Sequence, residues 1–329
     1  MLTTPSKDDW IRGGLYAIAM GTPLLLAPWL PSTISVFVTL GAMFTLRLDP
    51  RSHSKHQVMA MMGGMLLVIS AGMFGKLLVG HRDLTIMALV LISFLAGQPQ
   101  PEQKYFALLG KFVAAAFVLE EVGGPATLTT AMAYLSGAAF ALLLTLIQGR
   151  FFPTQATGWS LSTEWHDLRT GHINGPLYGL ALPLTVLASI LTAHWLNAQH
   201  ESWVGLTVLF VMNVDAANAW KKIGMRIIGT LMGVICAYLV VIFFPNWTFP
   251  FIIMLTALFM PTLLRQNYIL HNWLTTIFAL LVVDLAMQQN GGDESLIQWR
   301  FIDTLIGCAW VAVSLILLRL GRRWWPNKP

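Results

Sequence analysis

Met65-Leu66-Leu67-Val68-Ile69 is apolar on every face. A strand of a membrane barrel alternates apolar and polar positions over about ten residues, so this run excludes a barrel. Lipid offers no partner to backbone N–H and C=O groups, which leaves a helix. The run sits inside an apolar stretch from 57 to 79. At 1.5 Å per residue that stretch spans a hydrocarbon core of ~30 Å.

Working outward, similar stretches recur on both sides. The first half of the chain reads as helices at 13–30, 33–48, 57–79, 84–98, 104–120 and 126–147. The second half reads 177–196, 202–214, 223–244, 249–262, 269–288 and 299–320. The expected fold is an all-α integral membrane protein of about twelve transmembrane helices. Of the 329 residues, 56% are hydrophobic and 11% charged, with a mean hydropathy of +0.66, too apolar for a soluble domain.

The two halves share landmarks. Leu15-Tyr16-Ala17-Ile18-Ala19 with Pro23 answers to Leu177-Tyr178-Gly179-Leu180-Ala181 with Pro183. Phe44, Asp49 and Gly63 each fall 166 positions before Phe210, Asp215 and Gly229. Tyr134-Leu135-Ser136-Gly137 answers to Thr304-Leu305-Ile306-Gly307, 170 positions on. The expected domains are a six-helix repeat over 1–148, a cytoplasmic linker over 149–175, and a second repeat over 176–329. Six crossings per repeat bring both halves in from the same side, as parallel repeats with a substrate path at their seam.

The net charge of +5 and pI near 9.4 report topology and not nucleic acid. With both termini cytoplasmic, all but four of the twenty Lys and Arg lie inside; Arg82 and Arg300 fall outside, and Lys76 and Lys111 lie within apolar segments. Lys7-Asp8-Asp9 leads into a membrane segment without a small-residue cleavage site, so no cleavable signal is expected. The expected home is a bacterial inner membrane, crossed many times. Cys236 and Cys308 lie in apolar segments and read as packing residues. Within the linker, Ser160 to Leu168 reads as a short interfacial helix.

The second and fourth segments of each half are short or interrupted, which points to a binding path. Around the second segment of the second half stand Trp203-Val204-Gly205-Leu206-Thr207, with Trp203 and Thr207 as pathway candidates, then Asp215 and Lys221-Lys222. Next comes Arg226-Ile227-Ile228-Gly229-Thr230-Leu231-Met232-Gly233. Helical steps of three and four put Arg226, Gly229 and Gly233 on one face. Gly229 and Gly233 let a neighbouring helix approach, and a guanidinium one turn earlier could meet an anion. Arg300-Phe301-Ile302-Asp303-Thr304-Leu305-Ile306-Gly307 is a weaker echo, in which Arg300 and Asp303 could instead pair with each other. The first half has Ala60 and Thr130 where the second has Arg226 and Arg300, so an anion site here would be lopsided.

Ionisable residues in lipid-facing stretches cost ~2.5–3.5 kcal/mol each, so they face a cavity or a partner. Lys111 and Asp284 lie deepest, and Asp284 is the first candidate to exchange a proton, with an ion pair to Lys111 or Lys76 as the alternative. Asp49, Asp215, Asp303 and Glu120 are further coupling or gating candidates. Asp49 and Asp215 could equally cap helices. Lys222 and Arg265 would draw anions to the cytoplasmic mouth. Gly229, Gly233, Gly307 and Gly63 are candidate packing residues, and His271 reads as solvated at an inner helix end. No metal-binding spacing and no Gly-rich phosphate loop appears, so no metal, cofactor or enzymatic activity is expected.

Trp-x-x-Leu-Thr at 203–207, Arg-x-x-Gly-Thr-x-x-Gly at 226–233 and Arg-x-x-Asp-Thr-x-x-Gly at 300–307 resemble the fusaric acid resistance family. That family includes aromatic carboxylic acid exporters and is distantly similar to plant aluminium-activated malate transporters. The resemblance is clearest over 201–320. It implies efflux of organic anions or toxic weak acids, in some members coupled to protons. Longer members carry a large cytoplasmic region between the halves, where this chain has only Gln148 to Gly175. The expected partners are a small organic anion, protons and the bilayer, without nucleic acid; a second copy or a periplasmic adaptor stays open. An anion channel and a non-transporting assembly partner are the competing readings.

Overall fold

The computed structural model describes residues 6–27, 29, 31–52, 54–99, 104–119, 127–152, 158–170, 176–198, 201–212, 216–287 and 295–324. The chain is an all-α multi-pass membrane protein. Its helices are α1 (Lys7–Leu25), α2 (Ser32–Arg47), α3 (Ser54–Leu77), α4 (Arg82–Ala96), α5 (Lys104–Leu119), α6 (Thr127–Phe151) and α7 (Leu161–Arg169). They continue with α8 (Pro176–Trp195), α9 (Glu201–Val211), α10 (Ala216–Phe243), α11 (Phe249–Gln266), α12 (Tyr268–Met287) and α13 (Ser295–Trp324).

Each apolar segment read from the sequence falls on a helix, but the expectation of about twelve transmembrane helices is met only in part. Among the described residues, seven helices are long and apolar enough to cross a membrane, on α3, α6, α8 and α10 to α13. Five of the remainder are short: α2, α4 and α5 have 16, 15 and 16 residues, α9 has 11 and α7 has 9, whereas α11, expected to be short, has 18. Eleven residues rise only ~17 Å, about half a hydrocarbon core. α1 is long enough but opens on Lys7, Asp8, Asp9 and Arg12. It begins six residues before the expected start because Ser6 and Asp9 form a capping box, each side chain bonding the other's backbone N–H at 3.2 and 3.0 Å. The outer faces expose Leu66, Leu91, Leu184, Ile235 and Leu317, as lipid contact requires.

Helix packing follows one pattern twice. α2 packs on α6 as α9 packs on α13, and α3 packs on α5 as α10 packs on α12. α1 reaches across the chain to α11, and α8 reaches back to α4. In the middle, α2 meets α12 and α5 meets α9. Glycines set the closest crossings. Gly137 on α6 sits against the Val38 carbonyl of α2. A methyl at Gly307 on α13 would lie 3.0 Å from the carbonyl oxygen of Val204 on α9 and 2.8 Å from Thr207 Cβ. Val204 lies 166 positions after Val38.

The short helix expected over 160–168 is α7, and it is clamped to the bundle. Glu164 is buried and accepts from Trp159 Nε1 at 2.7 Å and from the backbone N–H groups of Tyr105 and Phe106 at 3.4 and 3.3 Å. Those amides open α5, where a carboxylate also meets the positive end of the helix. Ser52 adds a hydrogen bond of 2.5 Å to the Trp159 carbonyl. Glu164→Ala is expected to lose about 1–3 kcal/mol by orphaning these donors. Thermal unfolding of the detergent-solubilised chain measures it; a melting temperature equal to that of the unsubstituted chain would refute the clamp.

Candidate functional site

A cavity of about 630 Å³ opens where α1, α2, α5 and α9 to α13 converge. Its charged lining is overwhelmingly cationic. Arg12, Arg47 and Arg51 come from the first two helices and the loop after them, and Lys111 from α5. Lys222 and Arg226 come from α10, and Arg300 from α13. Asp49 is the one carboxylate among the described lining residues. Seven cations against one anion cannot be balanced within the lining. A charged side chain within the hydrocarbon costs ~2.5–3.5 kcal/mol, so the deeper cations, Lys111 and Arg300 among them, call for water or an anion in the cavity.

Asp49 is committed to its neighbours. Its Oδ2 lies 3.4 Å from Arg12, and its Oδ1 accepts from Gln57 Nε2 at 2.8 Å and from the Arg51 backbone N–H at 2.9 Å. Burial pushes its carboxyl up from the ordinary range, while the Arg12 guanidinium and the Gln57 hydrogen bond oppose that shift. It ties α1 and α3 to the end of α2.

The deeper cations are less fully engaged. Arg226 Nη1 donates to Asn272 Oδ1 at 2.8 Å, which fixes the guanidinium across the α10–α12 crossing. Among the described residues, Arg226 Nε, Asn272 Nδ2 and Arg300 Nη1 are buried donors without an acceptor. Buried donors rarely stay unpaired, so three around one cavity mark a place for oxygen atoms of a ligand or for water. Arg300 lies 5.1 Å above the Trp203 ring, a cation–π contact that holds its position. Lys111 Nζ lies 5.8 Å from the Phe210 ring centroid. Arg47 Nη2 approaches His271 Nε2 at 3.0 Å; a guanidinium cannot accept, so the imidazole does, and it carries its proton on Nδ1.

The structure thus brings Arg226, Lys222, Lys111, Arg300 and Asp49 into one lining. Trp203 and Thr207 lie behind it. Trp203 backs Arg300, and Thr207 is wholly buried against Gly307 in the α9–α13 crossing. Asp284 is also outside the lining, although Val282 and Val283 just before it are inside. Asp303 is fully buried one turn after Arg300, and neither of its oxygens has a hydrogen-bond partner among the described residues. Glu120, Asp215 and the Arg265 side chain lie outside the described residues.

Gly229 and Gly233 make the expected close contacts, meeting α12 at Asn272 and Thr276. Gly63 does not. A methyl there meets nothing within 4 Å, whereas one at Gly64 would lie 2.7 Å from the Tyr105 hydroxyl. The packing face of α3 is turned one position from that of α10, because Tyr105 reaches across to the Ala60 carbonyl at 2.6 Å. His271 is buried rather than solvated. Sequence reasoning missed His271, Arg47 and Asn272 as members of the site; the one available signal was that Arg47 follows the repeat landmark Phe44 by a single turn.

Comparisons with known proteins agree with the region that carries the motifs. The family described as Fusaric acid resistance protein-like matches residues 187–314. Inner membrane protein YccS of Escherichia coli (strain K12) is 33% identical over 119 residues, covering 36% of this chain and 16% of that protein. Uncharacterized protein slr1298 of Synechocystis is 27% identical over 173 residues, covering 51% and 22%. Uncharacterized protein ORF2 of Neisseria gonorrhoeae is 33% identical over 144 residues, covering 42% and 33%. The chain therefore matches a third or less of the length of these relatives. No solved structure matches it.

Proposed function

We propose that this chain is a membrane transporter that exports organic anions, aromatic carboxylates or other weak acids among them, through the cationic cavity. The observation that carries the reading is the charge imbalance of the lining, together with the unpaired donors of Arg226, Asn272 and Arg300. A carboxylate placed among them would accept from two guanidinium groups and an amide, gaining orientation as well as charge compensation. The likeness to fusaric acid resistance-like proteins over 187–314 supports the same reading. YccS is named an inner membrane protein, and a bacterial inner membrane is the location proposed here.

In this reading residues 1–148 and 176–329 are parallel six-helix repeats with cytoplasmic ends, joined by 149–175. The matched packing of α2 with α6 and α9 with α13, and of α3 with α5 and α10 with α12, supports it. The short helices α2, α5 and α9 line the cavity, as broken or short helices do at transporter binding sites.

The test is reconstitution. Proteoliposomes of the full chain are expected to accumulate labelled benzoate with saturable kinetics, and protein-free vesicles are not. No benzoate flux above that control would sink the assignment, and currents far beyond carrier turnover would make the protein an anion channel.

Proton coupling is proposed for Asp303, which is buried one turn from Arg300 and, like the other candidate Asp284, lies outside the cavity lining. Asp303→Asn is expected to leave benzoate counterflow intact while a pH gradient no longer accelerates net flux. If the gradient still drives the variant as it drives the unsubstituted chain, the proton is carried elsewhere.

A further inference from the structure

Four phenylalanines stand at repeat-equivalent places around the cavity. Phe44 on α2 and Phe210 on α9 are 166 positions apart, and so are Phe112 on α5 and Phe278 on α12. All four line the cavity, each within its helix's own stretch of lining: Phe44 between Val36 and Arg47, Phe112 between Leu108 and Ala115, Phe278 between Thr275 and Val283, and Phe210 one turn after Leu206. Their helices are the ones that meet across the middle of the bundle, α2 with α12 and α5 with α9. Phe44 and Phe112 are 5.2 Å apart between ring centroids, and Phe112 and Phe210 are 6.5 Å apart, both contact distances for aromatic pairs.

We infer that these four rings form a selectivity collar that passes organic anions with an apolar face and holds back small hydrated inorganic anions. The inference rests on the transport reading above and adds the residues that discriminate. The cationic lining attracts any anion, chloride included, so charge alone cannot make the site selective. An apolar constriction supplies what charge cannot. A chloride ion would have to shed water beside rings that offer no donor, whereas an aromatic or alkyl carboxylate replaces its lost water with ring contact. Lys111, held 5.8 Å from the Phe210 centroid, places a cation at the collar where the carboxylate end would pass. The cations of the lining do not repeat in this way: Arg47 has Asn213 as its counterpart and Lys111 has Ile277, whereas the apolar lining does, with Leu40 answering to Leu206 as the phenylalanines answer to one another.

The experiment measures benzoate and chloride flux in the same proteoliposomes for the unsubstituted chain and for Phe112→Ala, Phe112→Ala/Phe278→Ala and Phe112→Leu. The unsubstituted chain is expected to move benzoate and to exclude chloride. Each alanine variant is expected to raise chloride flux by about tenfold or more as the constriction wets, while the leucine variant stays near the starting value. Phe112→Val, which trims the ring but keeps a branched apolar side chain, replaces the alanine variant should that fail to insert. Intact benzoate flux with chloride exclusion unchanged in the alanine or valine variants overturns the collar and leaves the transport reading standing. Free chloride passage through the unsubstituted chain also overturns it. Vesicles in which neither anion moves overturn both readings.

Discussion

Proteoliposomes carrying Arg226→Ala are expected to transport benzoate about a hundredfold more slowly than the unsubstituted chain, or slower still. The side chain is 9% exposed, its Nη1 is fixed by Asn272 at 2.8 Å, and its Nε faces no acceptor among the described residues. With a carboxylate bound, Arg226 would be one partner of a buried, hydrogen-bonded charge pair; truncating such a partner costs about 2–5 kcal/mol, and ~3 kcal/mol is about a hundredfold. Arg226→Lys separates two contributions. It keeps the charge but loses the planar fork, so a rate between the two is expected. Arg226→Ala also strips Asn272 Oδ1 of its donor, so size-exclusion behaviour and thermal unfolding must accompany the flux. A variant that folds and transports at the original rate would remove Arg226 from the path.

The second large effect is on assembly. Gly233→Val should push α10 away from α12, because a Cβ at Gly233 would lie 2.6 Å from Thr276 Cβ and 2.9 Å from the Trp273 carbonyl oxygen. Gly229→Val meets the Ile269 carbonyl oxygen at 2.7 Å. Backbone cannot rotate aside as a long side chain can. Overpacking of this kind costs roughly 1–3 kcal/mol per site, so the double variant is expected to lose most of its folded yield. Gly63→Val is the matched control, since a methyl there meets nothing within 4 Å. Equal losses at Gly63 and Gly233 would show that helix propensity, not the crossing, sets the penalty.

The contrast between those glycines marks where sequence reading runs out. Segment positions were legible because lipid imposes a local rule: twenty or so apolar residues make a helix whatever surrounds them. The Arg226, Gly229, Gly233 face was legible for the same kind of reason, as helical steps within one element. Gly63 was assigned by alignment to Gly229, and the structure shifts the contact to Gly64 because Tyr105 packs where the second half has His271. Which neighbour fills a groove is a long-range fact. The contact between Arg47 and His271 joins residues 224 positions apart, and nothing near either one announces it. Asp284 failed to join the lining for a related reason. Depth along a segment can be counted, but the rotation that faces a side chain to a cavity or away from it is set by packing.

The crossing of α1 with α11 also bears on how the chain is made. More than two hundred residues separate the end of one from the start of the other, so at 5–20 residues per second the ribosome needs roughly 10–50 s to deliver the second after the first. During that interval the α1 face carrying Gly13 and Gly21, which will lie against Leu258 and Met254, has no final neighbour. The opening helix must therefore wait, shielded by insertion machinery or by a temporary companion, and truncating the gene after the midpoint would strand it permanently.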